Sequence, residues 1–367
     1  MGIPLSKPYI DQEIKERVLE VIDSGQYILG RNCKEFEKEF AAFVGTKHAV
    51  LTSSGTSAIF LSLQALGVGP GDGVLVPSLT AFPTVEPVFH VGARPIFVDI
   101  DESYGMDPNH VERLLEEGLP GVKLRGIIPV HLYGHPADLE RIMALGRKHG
   151  LFVLEDCCQA HGSRYRGKRV GGLGVAGCFS FYPSKNLTVF GDGGILVTND
   201  DKIAETTRML RDHGRKGKYE HELVGYNLRF NEIQAAVGRV QLRRLDQFNE
   251  ARRKIARWYG EALSGLPVVL PKEADWAEPV YHLFVIQVPD REKLAAYLKE
   301  KGIQTGVHYP IPNHQAPAVQ KTLGSQPRLE KTEEAARRIL SLPIYPELRK
   351  EEVDTVCAAI REFFEGS

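Results

Sequence analysis

Residues 48–67 read HAVLTSSGTSAIFLSLQALG: five residues of strand type, a short Ser/Gly/Thr turn, then a run with apolar residues at helical spacing. A strand that passes through so tight a turn into a helix is the opening unit of an α/β sheet. The same alternation continues along the chain. Further β-rich runs follow at VLVPS (74–78), PIFVD (95–99), GIIPVH (126–131), LFVLED (151–156), CFSFY (178–182) and GILVT (194–198). Many are apolar at both alternate positions, as strands covered by helices on two faces must be. Helical stretches lie between them, among them LERIMALGRKHG (139–150), where Gly150 stands in the C-cap place.

After residue 226 the pattern changes to a long helical tract, NEIQAAVGRVQLRRLDQFNEARRKIARWYGEAL (231–263). We place a domain boundary inside it, with residues 1–245 as a large domain and 246–367 as a smaller α+β domain built from YHLFVIQV, REKLAAYLKEKG and EEVDTVCAAIREFF. The charged stretch RDHGRKGKYEHE (211–222) reads as a loop, with mobility expected. The fold class is therefore α/β, a mostly parallel, mixed sheet flanked by helices with a smaller companion domain.

Charge and composition exclude several function classes. The 46 basic and 47 acidic residues nearly cancel, so no electrostatic footprint for nucleic acid or anionic membrane is present. No run has the length of a spanning helix or the form of an export signal, and five cysteines without CxxC spacing suit a reducing, cytoplasmic setting. A GxGxxG match (172–177) precedes a strand where a dinucleotide fingerprint would follow one, and the run Gly162 to Lys168 lacks the Ser or Thr of a nucleotide-triphosphate loop. His308 and His314 have no acidic partner at ligand spacing, and no metal is expected.

Three elements carry chemistry. LFVLED ends in Asp156 at the carboxyl edge of the sheet, where open α/β sheets bind ligands. CFSFY leads into PSKNL, which presents Lys185, with Ser180 five residues earlier. A lysine that condenses with an aldehyde cofactor needs an electron sink, and a carboxylate on a pyridine nitrogen keeps that ring electron-withdrawing. Gly55, Thr56 and Ser57 start a helix, where free N–H groups and hydroxyls suit a phosphate.

These segments, SSGTSA (53–58), GDGVLVPSLT (71–80), GARPIFVDID (92–101), EDCCQAHG (155–162), SFYPSKNL (180–187), GYNLRFNEIQAAVG (225–238) and HYPIPNHQ (308–315), resemble the DegT/StrS-type sugar aminotransferases within fold type I of the pyridoxal-phosphate enzymes. The resemblance runs from about residue 3 to 365. It implies pyridoxal 5'-phosphate held covalently by Lys185, Asp156 on the ring nitrogen, Gln159 beside the ring, and Thr56, Ser57 and Ser180 on the phosphate. It also implies a homodimer in which Asn227 reaches the neighbouring subunit's phosphate. Arg229 is expected to meet the carboxylate of an amino-acid donor such as glutamate, and Tyr309 and His314 the sugar of a nucleotide-linked substrate. Arg211, Lys216 and Lys218 are candidates for its diphosphate.

One position departs from the family's pattern. Ala81 stands where an aromatic residue commonly stacks on the cofactor; either Phe82 stacks in its place, or Phe82 is core and another side chain covers the ring. The same motifs fit an aminotransferase of a keto cyclitol, and, in another class, a non-catalytic regulator that binds the cofactor as a sensor. A dehydrating branch of the family has His in place of the lysine, and Lys185 argues against that chemistry.

Overall fold

The computed structural model describes residues 2–366. After α1 (Gln12–Ser24) and α2 (Arg31–Val44), the apolar runs alternate with helices: β1 (His48–Thr52), α3 (Gly55–Ala65), β2 (Asp72–Pro77), α4 (Phe82–His90), β3 (Arg94–Val98), α5 (Pro108–Glu117), β4 (Lys123–Ile127), α6 (Leu139–His149) and β5 (Phe152–Asp156). Then come β6 (Arg164–Tyr165), β7 (Lys168–Arg169), β8 (Ala176–Ser180), β9 (Gly194–Thr198), α7 (Asp201–Leu210) and α8 (Glu232–Leu263). The chain closes with β10 (Ala277–Glu278), β11 (Phe284–Gln287), α9 (Arg291–Glu300), α10 (Pro317–Leu323), α11 (Glu330–Arg338), β12 (Ile339–Leu342) and α12 (Lys350–Glu365).

Seven strands form one sheet in the order β1-β9-β8-β5-β4-β2-β3. Only β9 runs against its neighbours β1 and β8, so the other six strands point the same way. Their carboxyl ends therefore share an edge, and the turns after β1, β2, β4, β5 and β8 gather there. The α/β class, the mixed sheet and the seven expected strands are all present.

Local chemistry accounts for the boundaries. Helix α6 starts at Asp138, whose carboxylate accepts from Arg141 N, and stops at Gly150 in the left-handed region (φ 66°). The 162–168 segment is a hairpin: Arg166 (φ 47°) and Gly167 (φ 78°) form its two-residue turn between β6 and β7. It is no phosphate loop.

Helix α8, 32 residues and roughly 48 Å long, serves two cores. Ala235, Leu242 and Leu245 pack with Phe36, Phe40, Phe179 and Phe181, whereas Ile255, Ala256, Tyr259 and Leu263 pack with Phe284, Leu294 and Val356. The first residues of the chain pair with the C-terminal part. Ile3 N donates to Gly302 O (2.9 Å), Gln304 N to Ile3 O (2.9 Å), and Ile344 N to Leu5 O (3.1 Å). No helix among the described residues is long and apolar enough to cross a membrane.

Candidate active site

Asp156 is the last residue of β5 and is 3% exposed. Its Oδ2 accepts from Thr84 Oγ1 (2.7 Å) and its Oδ1 from Cys158 N (3.0 Å). Thr84 is held in turn by Thr80 (3.0 Å), so the carboxylate is fixed while keeping lone pairs for another donor. Lys185 sits in the turn after β8, closed by its own N–H on Tyr182 O (2.9 Å). At the start of α3 the Ser54 hydroxyl caps Ser57 N (3.0 Å), which leaves the N–H groups of Gly55 and Thr56 free at the positive end of the helix. A Cβ on Gly55 would lie 2.7 Å from Ser180 Cβ and 2.8 Å from Cys158 Sγ, so only glycine lets these three turns meet.

Together the three turns line one cavity of about 360 Å³, whose walls include Thr56, Thr84, Asp156, Gln159, Ser180 and Lys185. Burial pushes the Lys185 ammonium below the ordinary lysine range, and the neighbouring Cys158 thiol and Asp156 carboxylate offset part of that shift. The cavity's other acid is Asp192, and Lys185 is its one basic side chain among the described residues. Three histidines around it are held neutral, by burial first and by the lysine's charge next: His161 (about 3), His308 (about 4) and His282, which lies well below its ordinary value.

Gln159 joins the cavity to the C-terminal part. Its Oε1 accepts from Tyr133 N (2.8 Å) and its Nε2 donates to the Tyr309 hydroxyl (2.7 Å), which fixes the amide's orientation. Tyr133 (φ 57°) and Tyr309 (φ 71°) both adopt left-handed backbone, and their rings are nearly parallel at 6.4 Å. Strain of this kind persists where surrounding contacts over-determine it.

Other expected residues lie elsewhere. Phe82 starts α4 and packs partly buried against the apolar cluster of Val85 and Val88, while its neighbours Ala81 and Pro83 line the cavity. Ser57 turns its hydroxyl to those of Ser53 (2.9 Å) and Ser54 (2.8 Å) and is not part of the cavity wall. His314 is 2% exposed, with Nδ1 on Ser78 Oγ (2.7 Å) and Nε2 on Glu333 (3.2 Å), and is not part of the cavity wall. Arg211 is also internal, bonded to Glu37 (2.6 Å) and Leu51 O (2.6 Å), and is unavailable to a diphosphate. Arg229 meets Asp212 (3.0 Å), Lys216 pairs with Glu222 (3.3 Å), and Lys218 lies over the Tyr219 ring. Asn227 is exposed, outside this chain's own cavity. The 211–222 segment folds back on itself through Lys216 N to Glu220 O (3.0 Å) and Glu222 N to Gly214 O (2.9 Å).

Sequence reasoning missed Thr84, which lies 72 positions before Asp156 on another element, and nothing local marks it. It also missed Glu155. Although fully buried, this carboxylate accepts from Gly171 N (2.7 Å), Leu173 N (2.8 Å), Gly174 N (2.7 Å) and His131 Nε2 (3.2 Å). The glycine run that imitates a dinucleotide fingerprint thus cradles an anion of its own chain. His131, Glu155 and Cys157 cluster closely enough to suggest a metal. However, His131 Nδ1 accepts from Ala137 N (2.9 Å), so both ring nitrogens and both carboxylate oxygens are already engaged.

The sequence profile of the DegT/DnrJ/EryC1/StrS aminotransferase family matches residues 8–361. The chain belongs to that family. Among similar proteins of the family, a dTDP-3-amino-3,4,6-trideoxy-alpha-D-glucose transaminase from Streptomyces venezuelae is 44% identical over 96% of this chain and 92% of its own. A protein from Geobacillus stearothermophilus named pleiotropic regulatory protein is 43% identical over 99% of both chains. The crystal structure of S. venezuelae DesV in complex with a ketimine intermediate superposes with a TM-score of 0.93 at 42% identity, covering 99% of both chains. This aminotransferase therefore keeps the family's fold end to end.

Proposed function

We propose that the chain is a pyridoxal-phosphate-dependent transaminase that moves an amino group from an amino acid, glutamate being the expected donor, to a keto carbon of a nucleotide-linked sugar. The observation that carries this reading is the single cavity lined by Lys185, Asp156 and the amino end of α3. These residues fit the cofactor. Asp156 offers free lone pairs at the sheet edge for a protonated ring nitrogen, and the Gly55 and Thr56 N–H groups with the Thr56 and Ser180 hydroxyls suit its phosphate. When bound, the cofactor supplies an aldehyde for amines to condense with and a ring that withdraws electrons from the carbon being deprotonated.

The chain's own groups do the rest. Lys185 Nζ, whose proton affinity burial lowers, takes a proton from the donor's α-carbon and in the second half-reaction returns one to a single face of the sugar carbon. Gln159, held between Tyr133 and Tyr309, would stand beside the cofactor's ring and help to orient it. Donor and acceptor use one cavity in turn, so ping-pong kinetics are expected.

The proposal includes a homodimer. A cavity with two acids and one lysine is short of positive charge for a phosphate, a donor carboxylate and a diphosphate, and a neighbouring copy would supply it through the segment of Asn227 and Arg229. Large apolar side chains support this: Tyr182 and Phe190 on the lysine segment, and Leu223 and Val224 before Asn227, are exposed. We also propose two domains joined within α8, and a cytoplasmic setting supported by five unpaired cysteines.

The name of the Geobacillus relative keeps a regulatory reading in view, but the intact pair of Lys185 and Asp156 favours catalysis. The test has two stages. Protein mixed with pyridoxal phosphate and reduced with borohydride should carry the adduct on Lys185 by mass spectrometry. Glutamate with dTDP- or UDP-linked keto sugars should then give amino sugars, and keto cyclitols should not. An unmodified Lys185, or turnover of cyclitols alone, overturns the reading.

A further inference from the structure

Directly after Lys185, Asn186 is 6% exposed and ties the lysine turn to the rest of the protein. Its Nδ2 donates to Asn249 Oδ1 (3.0 Å) and to Val280 O (2.9 Å). Asn249, on α8, donates in turn to His161 O (2.8 Å), in the turn that follows Gln159. One asparagine of α8 thus bridges the lysine turn and the Asp156–Gln159 turn. A Cβ on Gly162 would lie 2.8 Å from Asn249 Nδ2, so the approach needs glycine there.

The orientation of this chain is settled by its ends. The His161 carbonyl needs a donor, which turns Asn249 Nδ2 towards it and Oδ1 towards Asn186; the Val280 carbonyl likewise needs the Asn186 amide nitrogen. Asn186 Oδ1 is left as a buried acceptor with no protein partner. Nearby, Arg252 is 4% exposed and its Nη1 reaches the carbonyls of Tyr281 (3.0 Å), His282 (3.3 Å) and Ile344 (3.1 Å), while its Nε is a buried donor with no protein partner. Both residues line one small cavity of about 20 Å³, whose walls also include Ser6, Lys7 and Tyr9 of the N-terminal segment and Lys185 itself.

We propose that this cavity binds one internal water, which accepts from Arg252 Nε and donates to Asn186 Oδ1, and that Asn186 and Asn249 are the positioning residues that hold Lys185 against Asp156. A cavity of this size takes a single water, which needs about 10–15 Å³ and two or more polar partners. A monatomic anion would satisfy Arg252 but would face the carbonyl oxygen of Asn186, so charge alone does not choose the occupant. Arg252 keeps its proton: burial lowers its pKa only to about 10.

The hydration site stands on geometry alone, whereas the positioning role rests on the proposed function. A high-resolution crystal structure of the full chain, with a bromide soak read by anomalous scattering, should show one water within about 2.7–3.2 Å of both atoms. A bromide peak or an empty cavity there overturns the site. Asn186→Ala and Asn249→Ala should slow borohydride-trapped adduct formation at Lys185, measured without sugar, and shift its pH midpoint. They should also lower kcat by about 100-fold with the donor KM within about threefold, as misplacement of a reacting group does. Folded variants with unchanged midpoint and kcat overturn the positioning role. If the variants do not fold, Asn186→Asp, of equal size but unable to donate to Val280 O, is read the same way and the crystal structure decides the site. If wild-type Lys185 forms no adduct, the proposed function fails instead, and the hydration site is judged separately.

Discussion

Glu155→Gln changes one charge and almost no volume, so its cost reads the glycine cradle directly. Oε1 accepts from Leu173 N and Gly174 N, and Oε2 from Gly171 N and His131 Nε2, whose proton is fixed because Nδ1 accepts from Ala137 N. Glutamine has one oxygen. In either orientation its NH₂ faces two donors, so two hydrogen bonds to a charged acceptor are lost, each worth about 1.5–3 kcal/mol. The sum is about 3–6 kcal/mol, and relief from burying a carboxylate works the other way, so we expect a value near 3 kcal/mol. The assay is equilibrium urea unfolding at neutral pH, with wild type and variant fitted by linear extrapolation. A loss below about 1 kcal/mol at equal m-value would refute the reasoning, because four donors could not then be converging on one anion.

Thr84→Val removes the 2.7 Å hydroxyl bond to Asp156 while keeping shape, and should weaken pyridoxal-phosphate retention roughly 5- to 30-fold, about 1–2 kcal/mol; unchanged retention in equilibrium dialysis counts against it. His161 is neutral in the folded protein down to about pH 3 but takes a proton near 6.5 once unfolded, so the unfolded state binds more protons between those values. Stability should therefore fall as pH drops from 6.5 towards 3, by up to about 1.4 kcal/mol per pH unit from this residue, and His161→Phe should flatten the slope in urea titrations. His314→Leu should lower stability by about 1–3 kcal/mol, since it strands Ser78 and Glu333, and leave the substrate KM unchanged; a KM effect without destabilisation would restore a substrate contact.

What the sequence disclosed follows from how locally each feature is encoded. The seven strands and α6 were legible because apolar runs and a terminating Gly150 act over neighbouring positions. Asp156 and Lys185 were legible because one ends a strand and the other lies in the turn that follows one, both at the edge where the parallel strands of the sheet end. The surroundings of Phe82, His314 and Arg211 were not legible because residue type speaks of chemistry and not of direction: a helix start turns Phe82 against an apolar cluster, and Ser78, Glu333 and Glu37 enclose the other two. Thr84 and the Glu155 cradle depend on pairings across distant segments, which periodicity does not encode.

The pairing of Ile3 and Leu5 with residues 302–304 and 344 has a consequence for how the protein is made. A ribosome adding 5–20 residues per second reaches residue 302 roughly 15 to 60 seconds after residue 3, and until then Ile3 has no edge to join; the Leu5 bond waits further, for residue 344. The segment of Ile3 and Leu5 thus waits on segments made some three hundred residues later, and a bulky group attached close to Ile3 would hinder that late pairing.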